Sequence, residues 1–157
     1  MELNVKSPYI FFKEEGCYLN FPKNISVIEE GSLLGVEIET VILPETVTTI
    51  GRGAFMGAKI KNIVLPDSLS VIADDAFCAC TNLKCVYLPA NVTSIGARAF
   101  MGCGRLAKIE LPSGLQFLGD EAFAFCQNLK ALKLPDSLKQ VGKNVFLGCM
   151  SEEEMKL

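Results

Sequence analysis

Residues 88–112 read LPANVTSIGARAFMGCGRLAKIELP, a stretch that opens and closes on Leu-Pro and has close copies on both sides. Beyond the N-terminal segment, prolines stand at Pro22, Pro44, Pro66, Pro89, Pro112 and Pro135, in steps of 22, 22, 23, 23 and 23 residues. A fixed period of this size marks a repeat architecture. Eleven residues past each of the last five prolines comes a phenylalanine: Phe55, Phe77, Phe100, Phe123 and Phe146; the first copy has Leu33. Seven residues past the proline come Gly51, Ala73, Gly96, Gly119 and Gly142, and three past the phenylalanine come Ala58, Cys80, Cys103, Cys126 and Cys149.

The segment before each proline alternates: TVIL, NIVL, CVYL, KIEL, ALKL. Val41/Leu43, Ile63/Leu65, Val86/Leu88, Ile109/Leu111 and Leu132/Leu134 are its inward candidates, the period of two that marks a strand. A four-residue strand that returns once per turn pairs with its copy in the next turn, about 4.8 Å away, and so builds a parallel sheet along a coil. Proline ends each strand because it lacks an N–H and fixes its own φ. The glycine is then expected to give a tight corner, and the Ala-Phe segment a helical turn or irregular arc on the far side, with the phenylalanine and cysteine pointing inward. Each turn buries its apolar face only against a neighbouring turn, which is what repetition supplies.

A chain of 157 residues, 50% apolar and 21% charged, has the material for one folded domain. The formal charge of −3 gives no reason to expect nucleic acid as partner. Histidine is absent, which removes the usual general base and the commonest metal ligand, so an enzyme is not expected. No apolar run in residues 1–16 is long enough for a signal peptide, and none elsewhere reaches transmembrane length, so no membrane insertion is expected.

The assembled pattern LPxxVTSIGxxAFxxCxxLxxIxLP resembles the BspA-type, or Treponema pallidum-type, leucine-rich repeat family over roughly residues 18–157. The resemblance implies a right-handed leucine-rich-repeat solenoid with about six to seven short parallel strands on its concave side. It also implies a surface or secreted bacterial binding module, although the missing signal peptide leaves the cytoplasm open. No catalytic residue and no cofactor come with it. Strands are expected near 18–21, 40–43, 62–65, 85–88, 108–111 and 131–134, with residues 1–17 as an N-terminal cap. At the other end, CMSEEEMKL aligned on CTNLKCVYL puts Met155 and Leu157 inward in a polar-edged strand at 154–157. Its rival is a helix start, because Ser151 with Glu154 also fits a capping box.

The outward strand positions are the ones the fold does not fix. Ile42, Val64 and Tyr87 form an apolar column that runs into Lys108, Glu110 and Lys133, the pattern of a contact site. Parallel strands also favour β-branched and aromatic residues, which accounts for the same column without a partner. Lys61, Lys84 and Lys130 add a basic stripe that suits an acidic surface, a glycan or plain solvent. On the far side Arg52, Asp74, Asp75, Arg98, Asp120, Glu121 and Lys143 alternate in sign from turn to turn, which predicts an ion ladder between repeats. Phe117 and Phe125 stand where other repeats carry small, polar or β-branched residues, and mark either a lateral patch or two rings that pack on each other.

Of the seven cysteines, Cys80, Cys103, Cys126 and Cys149 belong to the inward column and behave as small hydrophobes. In-register thiols about 5 Å apart with parallel Cβ vectors fit disulfide geometry poorly, so free thiols are predicted there. Cys17, Cys78 and Cys85 lie outside that argument. CAC at 78–80 with Cys85 invites a metal, but the inward assignment of Cys80 argues against one, and no cofactor is expected. The sequons at Asn24 and Asn91 coincide with the repeat consensus. Two functions fit the whole: a preformed concave surface for a protein or peptide, or a spacer that self-associates through its end repeats or through Phe117 and Phe125.

Overall fold

The structure, a computed structural model, describes residues 10–13, 16–19, 21–130 and 132–149. It is a β-solenoid. The short strands before the prolines form where expected: β4 (Thr40–Ile42), β6 (Asn62–Val64), β8 (Cys85–Tyr87) and β10 (Lys108–Glu110). β4 pairs with β6 and β8 with β10, each parallel and in register, so that Ile42 lies opposite Val64 and Tyr87 opposite Glu110.

A second parallel sheet, which the alternation did not announce, follows each proline. It is continuous and six-stranded, in the order β12 (Gln140–Val141), β11 (Phe117–Leu118), β9 (Ser94–Ile95), β7 (Val71–Ile72), β5 (Thr49–Ile50), β3 (Val27–Ile28). Its inward residues Ile28, Ile50, Ile72, Ile95 and Leu118 are buried. The edge beside it is clasped by side chains: Thr46, Ser68 and Ser137 hydroxyls each donate to a carbonyl of the preceding turn at 2.6 Å. Asn91 does the same through Nδ2 to the Asp67 carbonyl at 2.7 Å, so its sequon coincides with an inter-turn contact.

Two strand expectations change, and a third is untested. The strand placed near 18–21 is β2 (Gly16–Leu19), and it pairs antiparallel with β1 (Ile10–Lys13). The strand takes its own N-terminal neighbour as partner, and the hairpin straddles the expected boundary at residue 17. Residues 132–134 form no strand, and among the described residues no ladder joins them to β10. Leu132 is still buried and Leu134 partly so, which is the facing expected of them. The strand or helix at 154–157, with Ser151, Met155 and Leu157, lies outside the described residues.

Among the described residues the arc takes the irregular form, the second of the two expected, with no helix, and the hydrogen bonds give the reason. Alternate N–H groups there donate to the next turn instead of back along the chain: Phe55 to Ala76 O at 2.8 Å, Phe77 to Ala99 O at 2.7 Å, Phe100 to Ala122 O at 2.8 Å. This alternation needs two left-handed residues per turn. Among the described residues, the twelve with positive φ fall in two columns, nine and thirteen residues past the prolines, from Gly31 and Gly35 to Asn144 and Gly148. The glycines seven residues past the proline, expected to serve as corners by conformational freedom, have ordinary φ. They are needed for close approach instead: a Cβ on Gly119 would lie 2.3 Å from the Ala97 nitrogen.

Inside, Phe55, Phe77, Phe100 and Phe123 stack in one column with ring centroids 5.2 to 5.3 Å apart. Beside it runs the thiol column. Cys80, Cys103, Cys126 and Cys149 are free and buried, and each donates its S–H to a phenylalanine carbonyl one repeat back, at 3.0 to 3.2 Å. Burial pushes the Cys80 and Cys126 thiols up to about 12, and drives Cys103 well above its ordinary value. The folded state therefore holds these protons while unfolded thiols release theirs near 9.0. Stability that is intact below pH 9 should fall as pH rises from about 9 to about 12. Melting temperatures across that range check it: a flat profile in the native chain, or an equal fall in a Cys80→Ala/Cys126→Ala variant, would reject the thiols as its cause.

The ion ladder forms in part. Asp75 accepts from Arg98 through both carboxylate oxygens, at 2.8 and 3.1 Å, and Arg52 approaches it at 3.7 Å. The Arg98 hydrogen bond, with its charge and that of Arg52, holds the Asp75 carboxyl below its ordinary value despite partial burial. Asp74 and Asp120 do something else: each caps a backbone N–H of the next turn, Ala97 at 2.8 Å and Lys143 at 2.7 Å. Among the described residues, no polar or charged residue is buried and no buried side-chain polar atom lacks a partner.

Candidate interaction surface

The strands carry Val41, Ile63, Val86 and Ile109 into the core, and the period of two turns their neighbours outward. Ile42, Val64 and Tyr87 are accordingly 66%, 52% and 68% exposed, in three successive turns. The same registration recurs in the separate β8–β10 pair, which sets Tyr87 beside Glu110 and Cys85 beside Lys108; among the described residues no ladder joins β6 to β8. The Lys108 ammonium lies 5.5 Å from the centre of the Tyr87 ring, a cation–π distance. Lys108, Glu110 and Lys133 are exposed, as are Lys61, Lys84 and Lys130. Lys61 is in contact with Glu39, whose carboxyl it holds below the ordinary range. By strand alternation Ile42, Val64, Tyr87, Lys108 and Glu110 point to the outward side of these strands.

Where β10 and residues 132–134 fail to pair, a groove of about 580 Å³ opens. Ile109, Leu111, Leu132 and Leu134 form its apolar lining, and Glu110 and Lys133 line it as well. The sequence pattern gives no sign of it, because the KIEL and ALKL segments keep the same alternation as the paired strands.

Phe117 and Phe125 do not come together. Phe117 lies in the six-stranded sheet between Ser94 and Gln140, and Phe125 in the arc, where its ring lies against Gly148. Each is close to half exposed, and no ring contact joins them among the described residues. Phe125 holds φ at +59° in a column otherwise glycine or alanine. The arc also exposes Leu34, Met56 and Leu147, one column before the glycines. That column, Leu34, Met56, Cys78, Met101, Ala124 and Leu147, is chemically mixed, so it carries no signature in the sequence.

Among the described residues no cluster of histidine, cysteine, aspartate or glutamate is arranged to hold a metal ion, and no helix is long and apolar enough to cross a membrane. The pattern of the BspA type leucine rich repeat region matches in six copies, over residues 6–129 and 93–157. The chain belongs to the BspA-type leucine-rich repeat family. Members of this kind are repeat proteins, typically non-enzymatic, and such repeats generally serve as protein-interaction or structural scaffolds. A leucine-rich repeat protein from Bacteroides ovatus is 34% identical over 90% of this BspA-type chain, with a TM-score of 0.71. The chain spans 36% of that protein's length. The Treponema pallidum leucine-rich repeat protein is 25% identical with a TM-score of 0.72, over 90% of this chain and 86% of its own. The pneumococcal vaccine antigen PcpA, 24% identical over 95% of this chain and 40% of its own, shares the fold with a TM-score of 0.70. No curated protein is a significant match.

Proposed function

We propose that this chain is a non-catalytic interaction module that offers the face of β4, β6, β8 and β10 to a protein or peptide. The observation that carries this reading is the exposed column Ile42, Val64 and Tyr87 on adjacent turns. Every turn is fixed to its neighbours by backbone ladders, so the surface is formed before any partner arrives and little ordering entropy is lost on binding. The general use of leucine-rich repeats as interaction or structural scaffolds supports it.

The test is peptide selection on the purified chain, followed by affinity and melting measurements on Ile42→Asp and Tyr87→Ala. Both side chains are exposed, so stability should change by no more than about 0.5 kcal/mol. Affinity for the selected peptides should fall about tenfold or more. Unchanged affinity, or affinity lost only together with the fold, would remove the strand face as the site.

The second reading is a spacer within a longer array, joined to further copies through its end repeats or through Phe117 and Phe125. It draws on the chain's spanning only 36% of the Bacteroides ovatus protein. Sedimentation velocity over a concentration series separates the two, since the spacer requires self-association and the module does not.

A further inference from the structure

The strand face is charged against the sign of the whole chain. Five lysines, Lys61, Lys84, Lys108, Lys130 and Lys133, stand exposed on or beside its strands against two glutamates, Glu39 and Glu110, a net of +3 where the chain as a whole carries −3. Glu39 is already engaged with Lys61. Among the described residues no ion pair engages Lys84, Lys108, Lys130 or Lys133. Three acidic groups are engaged in the arc, where Asp75 meets arginine and Asp74 and Asp120 cap backbone N–H groups, while Asp136 lines the groove together with Lys133 and Glu110. Turns recur about every 4.8 Å, so each lysine stands within a Debye length, about 8 Å at physiological salt, of the next turn's charges, and their fields add.

Resting on the strand-face reading, we infer that the partner is an acidic, amphipathic polypeptide segment, with carboxylates beside aliphatic or aromatic side chains. Its carboxylates complement Lys84, Lys108 and the lysines of the last turn. Its apolar side chains cover Ile42, Val64 and Tyr87. The groove between β10 and residues 132–134, lined by Ile109, Leu111, Leu132 and Leu134, takes one apolar side chain as an anchor. A sulfated or carboxylated polysaccharide would satisfy the lysines but leave the aliphatic column and groove without apolar contact. The combination therefore favours polypeptide. Complementary charge of this kind chiefly speeds association and rejects wrong partners, and it weakens with salt.

The experiment is selection from a random peptide library on the intact chain, with binding of the enriched peptides read by fluorescence anisotropy against Lys84→Glu, Lys108→Glu and Ile42→Asp, and heparin as a separate probe. The expected result is enrichment of Asp and Glu next to Leu, Phe or Trp, with affinity for the native chain falling as salt rises and falling about tenfold on each lysine reversal at low salt. Lys84→Arg should bind as the native chain does. Melting curves confirm that the variants remain folded. Enriched peptides that are neutral or basic and indifferent to the lysine reversals overturn the inference; if they still lose affinity in Ile42→Asp, the strand-face reading survives without it. Failure to enrich any peptide, or heparin binding the lysine face more tightly than every enriched peptide, also overturns it, the latter in favour of a polysaccharide.

Discussion

Phe100→Ala is expected to cost about 3–5 kcal/mol of folding stability, and Phe146→Ala distinctly less. Phe100 is fully buried and held on both sides, with Phe77 at 5.2 Å and Phe123 at 5.3 Å, the rings nearly parallel. Removing it empties the middle of a column whose backbone is pinned by hydrogen bonds to the turns above and below, so the space cannot close without breaking them. The loss combines the transfer term with a persistent cavity. Phe146, in the last described turn, is 8% exposed and stacks on Phe123 alone at a looser 6.1 Å. Denaturant melts of the two variants provide the comparison. Equal losses would mean that the C-terminal end of the column is as enclosed as its centre, which this structure does not show.

The same column shows how much could be read before any coordinates. Six prolines at a near-constant spacing fix the register, and once it is set the inward phenylalanines, the buried thiols and the outward Ile42, Val64 and Tyr87 follow from counting. The second sheet did not follow, because a two-residue strand such as Thr49–Ile50 contains one inward and one outward residue and shows no alternation to detect. The arc is ambiguous in the sequence for a different reason. Segments such as GARAF favour helix by composition, but their N–H groups find acceptors in the next turn, a tertiary fact invisible in any one repeat. The left-handed column nine past the proline is glycine only at Gly31 and Gly53, and continues as Asp75, Arg98, Glu121 and Asn144, so conformation there had no constant residue to announce it. The lysines of the strand face were visible individually. Their lack of ion-pair partners was not, since that depends on where the acidic side chains are spent.

Gly119→Ala should cost about 1–3 kcal/mol, more than alanine at a repeat glycine with open space around its missing Cβ. Gly119 does not need glycine for its dihedral angles. It needs it because the added methyl would sit 2.3 Å from the Ala97 nitrogen, 2.5 Å from the Gly96 carbonyl carbon and 2.7 Å from the Ala97 Cα. All three are backbone, so relief requires moving one turn away from the next and straining the ladder bonds of Leu118 to Ile95 and the Gly119 N–H to the Ile95 carbonyl at 2.9 Å. Gly57 is the matched control. It has φ of +70° and nothing within 4 Å of its missing Cβ, so alanine there costs only the left-handed penalty of about 1 kcal/mol. Ala79 already bears that penalty in the same column, at φ of +58°. Ala73 likewise shows that the Gly119 column accepts a methyl at one step, so the prediction concerns the local gap between particular turns and not the column as a whole. Chemical denaturation of Gly119→Ala and Gly57→Ala side by side decides it. A larger loss at Gly57 would mean that backbone conformation, and not the approach of successive turns, is what glycine protects in this solenoid.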